Sequence, residues 1–150
     1  MSDVVPDASF LVKLLVEEPG SRLSKATFEA YEHAGNRFLV PGHAYAEVLE
    51  VIRRKLNKGM ATTVQLQRAA KILPTVATAV PLRELLASGY SVALELGITV
   101  YDALYVALAD RGSSILLTAD IKLVERLRNT PYEDLAFGVA DTGLVYYGTR

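Results

Sequence analysis

Four carboxylates in this 150-residue chain stand at positions from which they could reach a common site. They are Asp7, Glu47, Asp102 and Asp120. Carboxylates that lie close together cannot all stay ionised without a cation, because each raises the pKa of the others. Oxygen ligands without cysteine suit Mg²⁺ or Mn²⁺ better than zinc. A divalent ion held in this way can polarise a phosphoryl oxygen and activate a water for in-line attack, so the chemistry indicated is phosphodiester hydrolysis.

Two hydroxyl groups accompany these acids in the sequence. Ser9 stands two residues after Asp7, and Thr118 stands two residues before Asp120. Either hydroxyl could donate a hydrogen bond to a carboxylate or to the attacking water. Serine and threonine hydroxyls are also typical of a helix cap or a turn. For Ser9 the functional interpretation and the cap interpretation carry equal weight.

An alternation of strands and helices explains why the acids should meet. Residues 4–5 form a short apolar run that Pro6 closes, and residues 115–118 form a second apolar run just before Asp120. Strands that alternate with helices predict a parallel sheet covered by helices, and ligands bind at the carboxyl ends of such strands. Asp7 and Asp120 fall at those ends, and the helices that carry Glu47 and Asp102 could approach the same edge.

The remaining pattern of apolar residues, prolines and glycines divides the chain further. It predicts helices over residues 8–16, 23–34, 43–58, 62–73, 82–96 (interrupted at Ser88-Gly89), 101–111 and 120–127, and strands over residues 38–40 and 74–81. The segment after about residue 131 has strand-like and aromatic residues without a clear period, so its assignment stays open.

Asp102 has two interpretations. Residues 103–109 carry neither a charge nor a small polar group, which predicts a helix that is buried on every side. Asp102 stands in its first turn, where free N–H groups and the helix dipole favour an anion. It is therefore a cap or a site residue, and only partners elsewhere in the chain can decide between them.

Composition narrows the class of protein. With 16 basic and 17 acidic residues the net charge is −1, so no global positive field indicates a nucleic-acid partner. The absence of cysteine excludes disulfides and thiol nucleophiles. No signal segment and no apolar run long enough to span a bilayer is present, so we expect a cytoplasmic protein without a membrane partner. The length predicts a single domain over residues 1–150.

Four pieces of the sequence occur together in an order that is distinctive. They are the segment 4–13 (VVPDASFLVK), Glu47, the segment 99–109 (TVYDALYVALA) and the segment 116–120 (LLTAD). Their order and separations, from about residue 4 to about residue 127, resemble the PIN-domain family, in particular the VapC-type toxin ribonucleases.

The resemblance implies a fold, an activity and partners. The fold would be a three-layer α/β/α sandwich on a mainly parallel sheet, and the activity that of a Mg²⁺- or Mn²⁺-dependent endoribonuclease acting on single-stranded RNA. A homodimer and inhibition by a small antitoxin protein are also implied. Matching positions make the four acids the catalytic metal ligands, with Thr118 as a further catalytic residue and Ser9 in support.

One departure from the family pattern leaves a second function open. Many relatives have a further acid or an asparagine shortly after the position of Asp120, where this chain has Ile121, Lys122 and Leu123. We therefore expect one fully occupied metal position. The alternative function is a catalytically weak or inactive PIN-fold module that binds RNA or a protein partner.

Candidate RNA contacts are weaker predictions. Lys13, Arg53 and Arg54 could contact phosphates, although exposed basic residues near a helix end are usually just solvated.

The aromatic residues and the histidines carry less weight. Tyr101 and Tyr105 could stack on bases or belong to the core, and Tyr146-Tyr147 could form dimer contacts. His33 and His43 fall in no recognisable catalytic spacing.

Overall fold

The computed structural model of the chain describes residues 3–140 and 143–146, with side chains for residues 3–139. The strands are β1 (Val4–Pro6), β2 (Leu39–Pro41), β3 (Thr78–Val80), β4 (Ile115–Thr118), β5 (Ala136–Ala140) and β6 (Gly143–Tyr146). The α-helices are α1 (Ala8–Leu15), α2 (Ser21–His33), α3 (Ala44–Asn57), α4 (Thr63–Val76), α5 (Leu86–Leu96), α6 (Val100–Arg111) and α7 (Ile121–Leu127). Short 3₁₀ helices cover Leu82–Glu84 and Glu133–Leu135.

The strands form a mainly parallel layer. One sheet has the order β1-β4-β5-β6, in which only β5 and β6 are antiparallel, and a second sheet pairs β2 with β3 in parallel. A parallel bridge between Val4 and Phe38 joins the two sheets. The order across the layer is therefore β3-β2-β1-β4-β5-β6, and the predicted α/β/α sandwich with a mainly parallel central sheet is confirmed.

Helix α6 lies at the centre of the packing. Residues 103–109 are all buried, and the helix contacts β1, β2, β4 and the neighbouring helix α5. The prediction of a helix buried on every side is confirmed. Across the described residues no single helix is long and apolar enough to cross a membrane; α5 and α6 reach that length and apolarity only together, with a bend of 113° between them.

The predicted strand over residues 74–81 is wrong in its first half. Helix α4 continues through Pro74 to Val76, and the strand covers only Thr78–Val80. A proline has no backbone N–H and therefore removes one hydrogen bond from a helix. Because Pro74 lies near the end of α4, the remaining hydrogen bonds of the last turn still form. The N–H of Ala77 closes that turn on the carbonyl of Leu73, whose side chain is buried.

The break in the predicted helix over residues 82–96 also differs from prediction. The interruption expected at Ser88-Gly89 lies instead at Leu85, between the first 3₁₀ helix and α5, because the buried Leu85 ends the 3₁₀ turn. The tail forms β5 and β6, a hairpin that extends the sheet. The suggested dimer contact at Tyr146-Tyr147 lies outside the described side chains.

Candidate active site

Asp7 and Thr118 meet because β1 and β4 are parallel neighbours in register. Pro6 pairs with Leu117, and the N–H of Asp7 donates to the carbonyl of Leu117 at 2.9 Å. The residues that follow this pair, Asp7 and Thr118, therefore leave the same edge of the sheet side by side. This edge is the carboxyl end of both strands, where the sequence analysis expected the site.

Three donors hold the carboxylate of Asp7. Its Oδ1 accepts from the hydroxyl of Ser9 at 2.6 Å and from the N–H of Phe10 at 3.0 Å, and its Oδ2 accepts from the hydroxyl of Thr118. The bond from Phe10 makes Asp7 the N-cap of α1. The predicted hydrogen bonds of both hydroxyls to a carboxylate are thus present, and Asp7 is the acceptor of both.

Backbone groups orient the two hydroxyls towards Asp7. Ser9 Oγ accepts from the N–H of Ala119 at 2.9 Å, and Thr118 Oγ1 accepts from the N–H of Asp120 at 2.9 Å. A hydroxyl has one proton to donate, and here each proton is directed to Asp7. The oxygens of Ser9 and Thr118 lie 3.2 Å apart, but neither hydroxyl has a proton left to form a hydrogen bond between them.

Burial shifts the titration of Asp7. The residue is 5% exposed, and loss of hydration raises the pKa of its carboxyl to about 7, even though the hydrogen bonds from Ser9, Thr118 and Phe10 act in the opposite direction. The charge of Asp102 raises the pKa slightly further. At neutral pH the carboxyl is thus poised between its two protonation states.

Thr99, and not Asp102, caps helix α6. Thr99 is the N-cap residue, and its side chain accepts from the N–H of Asp102 at 3.1 Å. Asp102 is half-buried, and its pKa is raised first by burial and then by the charges of Asp120 and Glu47. Of the two interpretations of Asp102, the structure contradicts the cap.

Glu47 is held from the core side by a tyrosine. The hydroxyl of Tyr105 donates to Glu47 Oε1 at 2.8 Å, and Tyr105 itself is 1% exposed. Burial raises the pKa of Tyr105 well above its ordinary value, and the charges of Glu47, Asp7 and Asp102 add to the effect. Tyr105 therefore stays a proton donor at any physiological pH.

Asp120 begins α7. Its Oδ1 accepts from the N–H of Leu123 at 3.2 Å, which makes it the N-cap, while its own N–H donates to Thr118. The helix predicted to open at Asp120 is confirmed. Asp120 and Asp102 line the same cavity of about 230 Å³.

The four acids form one electrostatic group. The charges of Asp120 and Glu47 raise the pKa of Asp102, and the charge of Asp102 raises the pKa of Asp7. In the described part of the chain, however, no three Asp, Glu or His side chains are placed so that they could hold a metal ion. The donors fit a hard divalent cation in kind, because they are oxygen atoms whose mutual repulsion a cation would relieve.

The three basic residues predicted to contact RNA phosphates lie in different surroundings. Lys13 donates to Glu18 at 3.2 Å and to the carbonyl of Pro19 at 2.6 Å, and Arg53 pairs with Glu50. Arg54 lines a second cavity of about 430 Å³. The other residues that line it are His43, Ala46, Glu47, Glu50 and Tyr101.

Aromatic residues form the wall between this cavity and the core. His43 packs against Tyr101 and Tyr105, with ring centroids 5.8 and 5.1 Å apart, and burial lowers the pKa of its imidazole. Tyr101 is 63% exposed, whereas Tyr105 is a core residue. Sequence reasoning did not find the bond from Tyr105 to Glu47, although the spacing of Asp102 and Tyr105 places both on one face of α6.

Comparison with solved structures gives the same fold. The chain is similar to a Pyrobaculum aerophilum protein of known crystal structure (TM-score 0.61, 20% identity, 86% of this chain and 82% of that one). It is also similar to a toxin–antitoxin complex from Klebsiella pneumoniae (0.60, 15%, 87% and 94%). A third similar structure is VapBC2 from Rickettsia felis bound to a DNA fragment from their promoter (0.61, 17%, 85% and 94%).

Sequence comparison adds a short but close match and a family. The chain is 49% identical over 43 residues to the protein named Ribonuclease VapC3 of Pyrobaculum aerophilum, which is 29% of this chain and 33% of that relative's length. The family description "PIN domain" matches residues 4–128, which include all four acids and both hydroxyls. The chain therefore belongs to the PIN domain family.

Proposed function

We propose that this protein is a divalent-metal-dependent endoribonuclease that cleaves single-stranded RNA, acts in the cytoplasm as one domain, and is the toxin of a toxin–antitoxin pair. The observation that carries the proposal is the electrostatic group of four acids at the carboxyl edge of a PIN fold. The name Ribonuclease VapC3 of the matching relative supports the substrate class.

Asp7, Glu47, Asp102 and Asp120 are the residues that would hold the ion, which we expect to be Mg²⁺ or Mn²⁺. When bound, such an ion supplies positive charge to the phosphoryl oxygens and favours ionisation of the attacking water. The chain's own contribution is orientation. Tyr105 fixes Glu47, Thr118 and Ser9 fix Asp7, and their hydroxyl protons keep the carboxylate oxygens in place.

The apolar stripe of α5 supports a homodimer. Leu86, Tyr90 and Leu94 follow one another at intervals of four residues and are 51%, 60% and 68% exposed. Side chains four residues apart lie on one face of a helix, and so these three form a continuous apolar strip on the surface. We assign this strip to the contact between two copies of the chain.

The antitoxin partner rests on different support. The Klebsiella pneumoniae and Rickettsia felis structures are toxin–antitoxin assemblies of the same fold. Co-expression with the product of an adjacent gene, followed by purification through a tag on one chain, tests this part separately from catalysis.

The decisive experiment is cleavage of a mixed pool of labelled RNAs by the wild type, Asp102→Asn and Asp110→Asn. Asp110 is an exposed carboxylate on the same helix, so its variant matches the change of charge and differs only in place. We expect cleavage in Mg²⁺ or Mn²⁺ by the wild type and by Asp110→Asn, and none in EDTA or by Asp102→Asn.

Two outcomes contradict the proposal. Cleavage that persists in EDTA or in Asp102→Asn would mean that the acids do not carry it. A wild type that binds the RNAs and cuts none of them, with or without metal, would favour the inactive PIN-fold module instead. Circular dichroism of all three proteins controls for folding.

A further inference from the structure

Two basic residues share the 230 Å³ cavity with two of the four acids. Lys122 and Arg126 line it together with Asp102 and Asp120, and the turn at residues 97–99 closes it. The cavity thus holds two acids of the candidate metal site together with two cations. Groups of both charges are what a site for a metal-bound polyanion requires, because the ion and the anion need opposite partners.

The fold holds these two cations in a fixed relation to the acids. Lys122 and Arg126 are four residues apart on α7, and so they project from one face of the helix. Leu123 and Leu127, one position further along the chain from each cation, are buried and anchor the helix in the core, and Asp120 caps its start. The residue that begins α7 is therefore one of the four acids.

Neither cation is neutralised by a neighbour. Within residues 3–139 neither Lys122 nor Arg126 forms an ion pair, even though two carboxylates line the same cavity. Arg128, two residues after Arg126, is paired with Glu125 at 3.3 Å. The two unpaired side chains are exposed, so their N–H donors remain available to a ligand.

We propose that Lys122 and Arg126, the α7 cation pair, bind a backbone phosphate of the RNA next to the one that is cleaved. The proposal rests on the proposed function for the identity of the polyanion. The acids would hold an ion at the cleaved phosphate, and the cation pair, which lines the same cavity as Asp102 and Asp120, would meet the neighbouring phosphate. Such contacts position the strand and carry no base specificity.

The first test measures binding without cleavage. Fluorescence anisotropy follows a labelled single-stranded RNA in EDTA over a range of KCl concentrations, for the wild type, Lys122→Gln, Arg126→Gln and the double variant. Because the pair contacts one phosphate, its loss in the double variant should reduce the slope of log K against log salt by about 0.7, and each single variant should lose part of that. We expect the double variant to bind about tenfold more weakly at low salt.

Arg128→Gln is the matched control, because it removes the same charge from the residue that directly follows α7 and that does not line the cavity. It should leave the slope unchanged. An equal loss in Arg128→Gln would show that only the overall charge of α7 matters, and no loss in the double variant would show that the pair does not contact phosphate. Either result, or a wild type that fails to bind the RNA, overturns the proposal.

The second test separates this inference from the proposed function. In Mg²⁺ the double variant should have a raised KM and a kcat within about twofold of the wild type, because contacts made equally in the ground and transition states affect KM alone. A fall in kcat without a rise in KM overturns the assignment to a neighbouring phosphate. If the wild type cuts nothing but the salt slopes follow the prediction, the proposed function fails and the phosphate site stands.

Discussion

Asp7→Asn should stabilise the metal-free protein at neutral and alkaline pH. The carboxyl has a pKa of about 7 in the folded chain and an ordinary value of 3.8. Below about pH 4 it is protonated in both the folded and the unfolded state, so it has no effect on stability. Above pH 7 it is ionised in both states, and the buried charge lowers the free energy of unfolding by about 4 kcal/mol, at 1.36 kcal/mol for each pKa unit.

The sign of the pH dependence follows from proton binding. Between pH 4 and 7 the folded state holds this proton more tightly than the unfolded state does, and so stability falls as the pH rises. Asparagine resembles the protonated form, because its oxygen can still accept from Phe10 and Ser9 while its NH2 group takes the place of Oδ2 and donates to Thr118. The free energy of unfolding of Asp7→Asn should not fall between about pH 4 and pH 7, and at about pH 8 it should exceed that of the wild type by several kcal/mol.

Urea unfolding in EDTA from about pH 4 to about pH 8 measures this difference. Asp134→Asn, a change at an exposed carboxylate, is the control and should follow the wild-type curve. If the curves of the wild type and Asp7→Asn stay parallel, the three hydrogen bonds to Asp7 outweigh its burial and the reasoning is refuted. Addition of Mg²⁺ should stabilise the wild type by RT ln(1 + [L]/Kd) and leave the variant almost unchanged.

Three further substitutions test the surroundings of the site. Tyr105→Phe should weaken Mg²⁺ binding about tenfold, because Glu47 loses the donor that fixes it; unchanged affinity by calorimetry would remove Glu47 from the metal site. Gly89→Ala would place its Cβ 2.7 Å from Leu104 Cδ2, so overpacking should outweigh the gain in helix propensity and destabilise the fold by about 1 kcal/mol. A higher melting temperature would contradict this. If the proposed homodimer forms through α5, Leu94→Lys should be monomeric in light scattering where the wild type is dimeric, and a variant that stays dimeric would place the interface elsewhere.

The carboxyl edge of the sheet was predictable because it depends on local patterns alone. A short apolar run that ends in an acid predicts where each strand stops, and the alternation of strands with helices predicts that the runs are parallel. The pairing of Pro6 with Leu117 then places Asp7 next to Thr118. No knowledge of side-chain packing is needed for this step.

Contacts between helices were beyond the sequence. The bond from Tyr105 to Glu47 joins residues 58 positions apart, and it exists because α3 and α6 approach one another across the edge of the sheet. Periodicity shows which face of each helix is apolar, but not which residues of two helices are opposite one another. The cavity shared by Asp102 and Lys122 depends on the packing of α6 and α7 in the same way.

Pro74 does not end helix α4, contrary to the prediction from the sequence. The bracket of Pro74 and Pro81 predicted a strand between them, yet α4 extends past Pro74 to Val76. The lost N–H is only one bond of the last turn, and the buried Leu73 keeps that turn against the core. Tertiary packing of Leu73, and not the local preference of proline, therefore determines where α4 ends.

Folding and chemistry share residues at this site, but not equally. Asp7 and Asp120 are the N-caps of α1 and α7, whereas Asp102 and Glu47 cap nothing. A cap lost to alanine costs about 1 kcal/mol, while asparagine keeps the cap and removes the charge. Comparison of asparagine with alanine at Asp7 and Asp120 therefore separates the structural role from the electrostatic one. At Asp102 the two substitutions should have similar effects on stability, since only the charge is in use there.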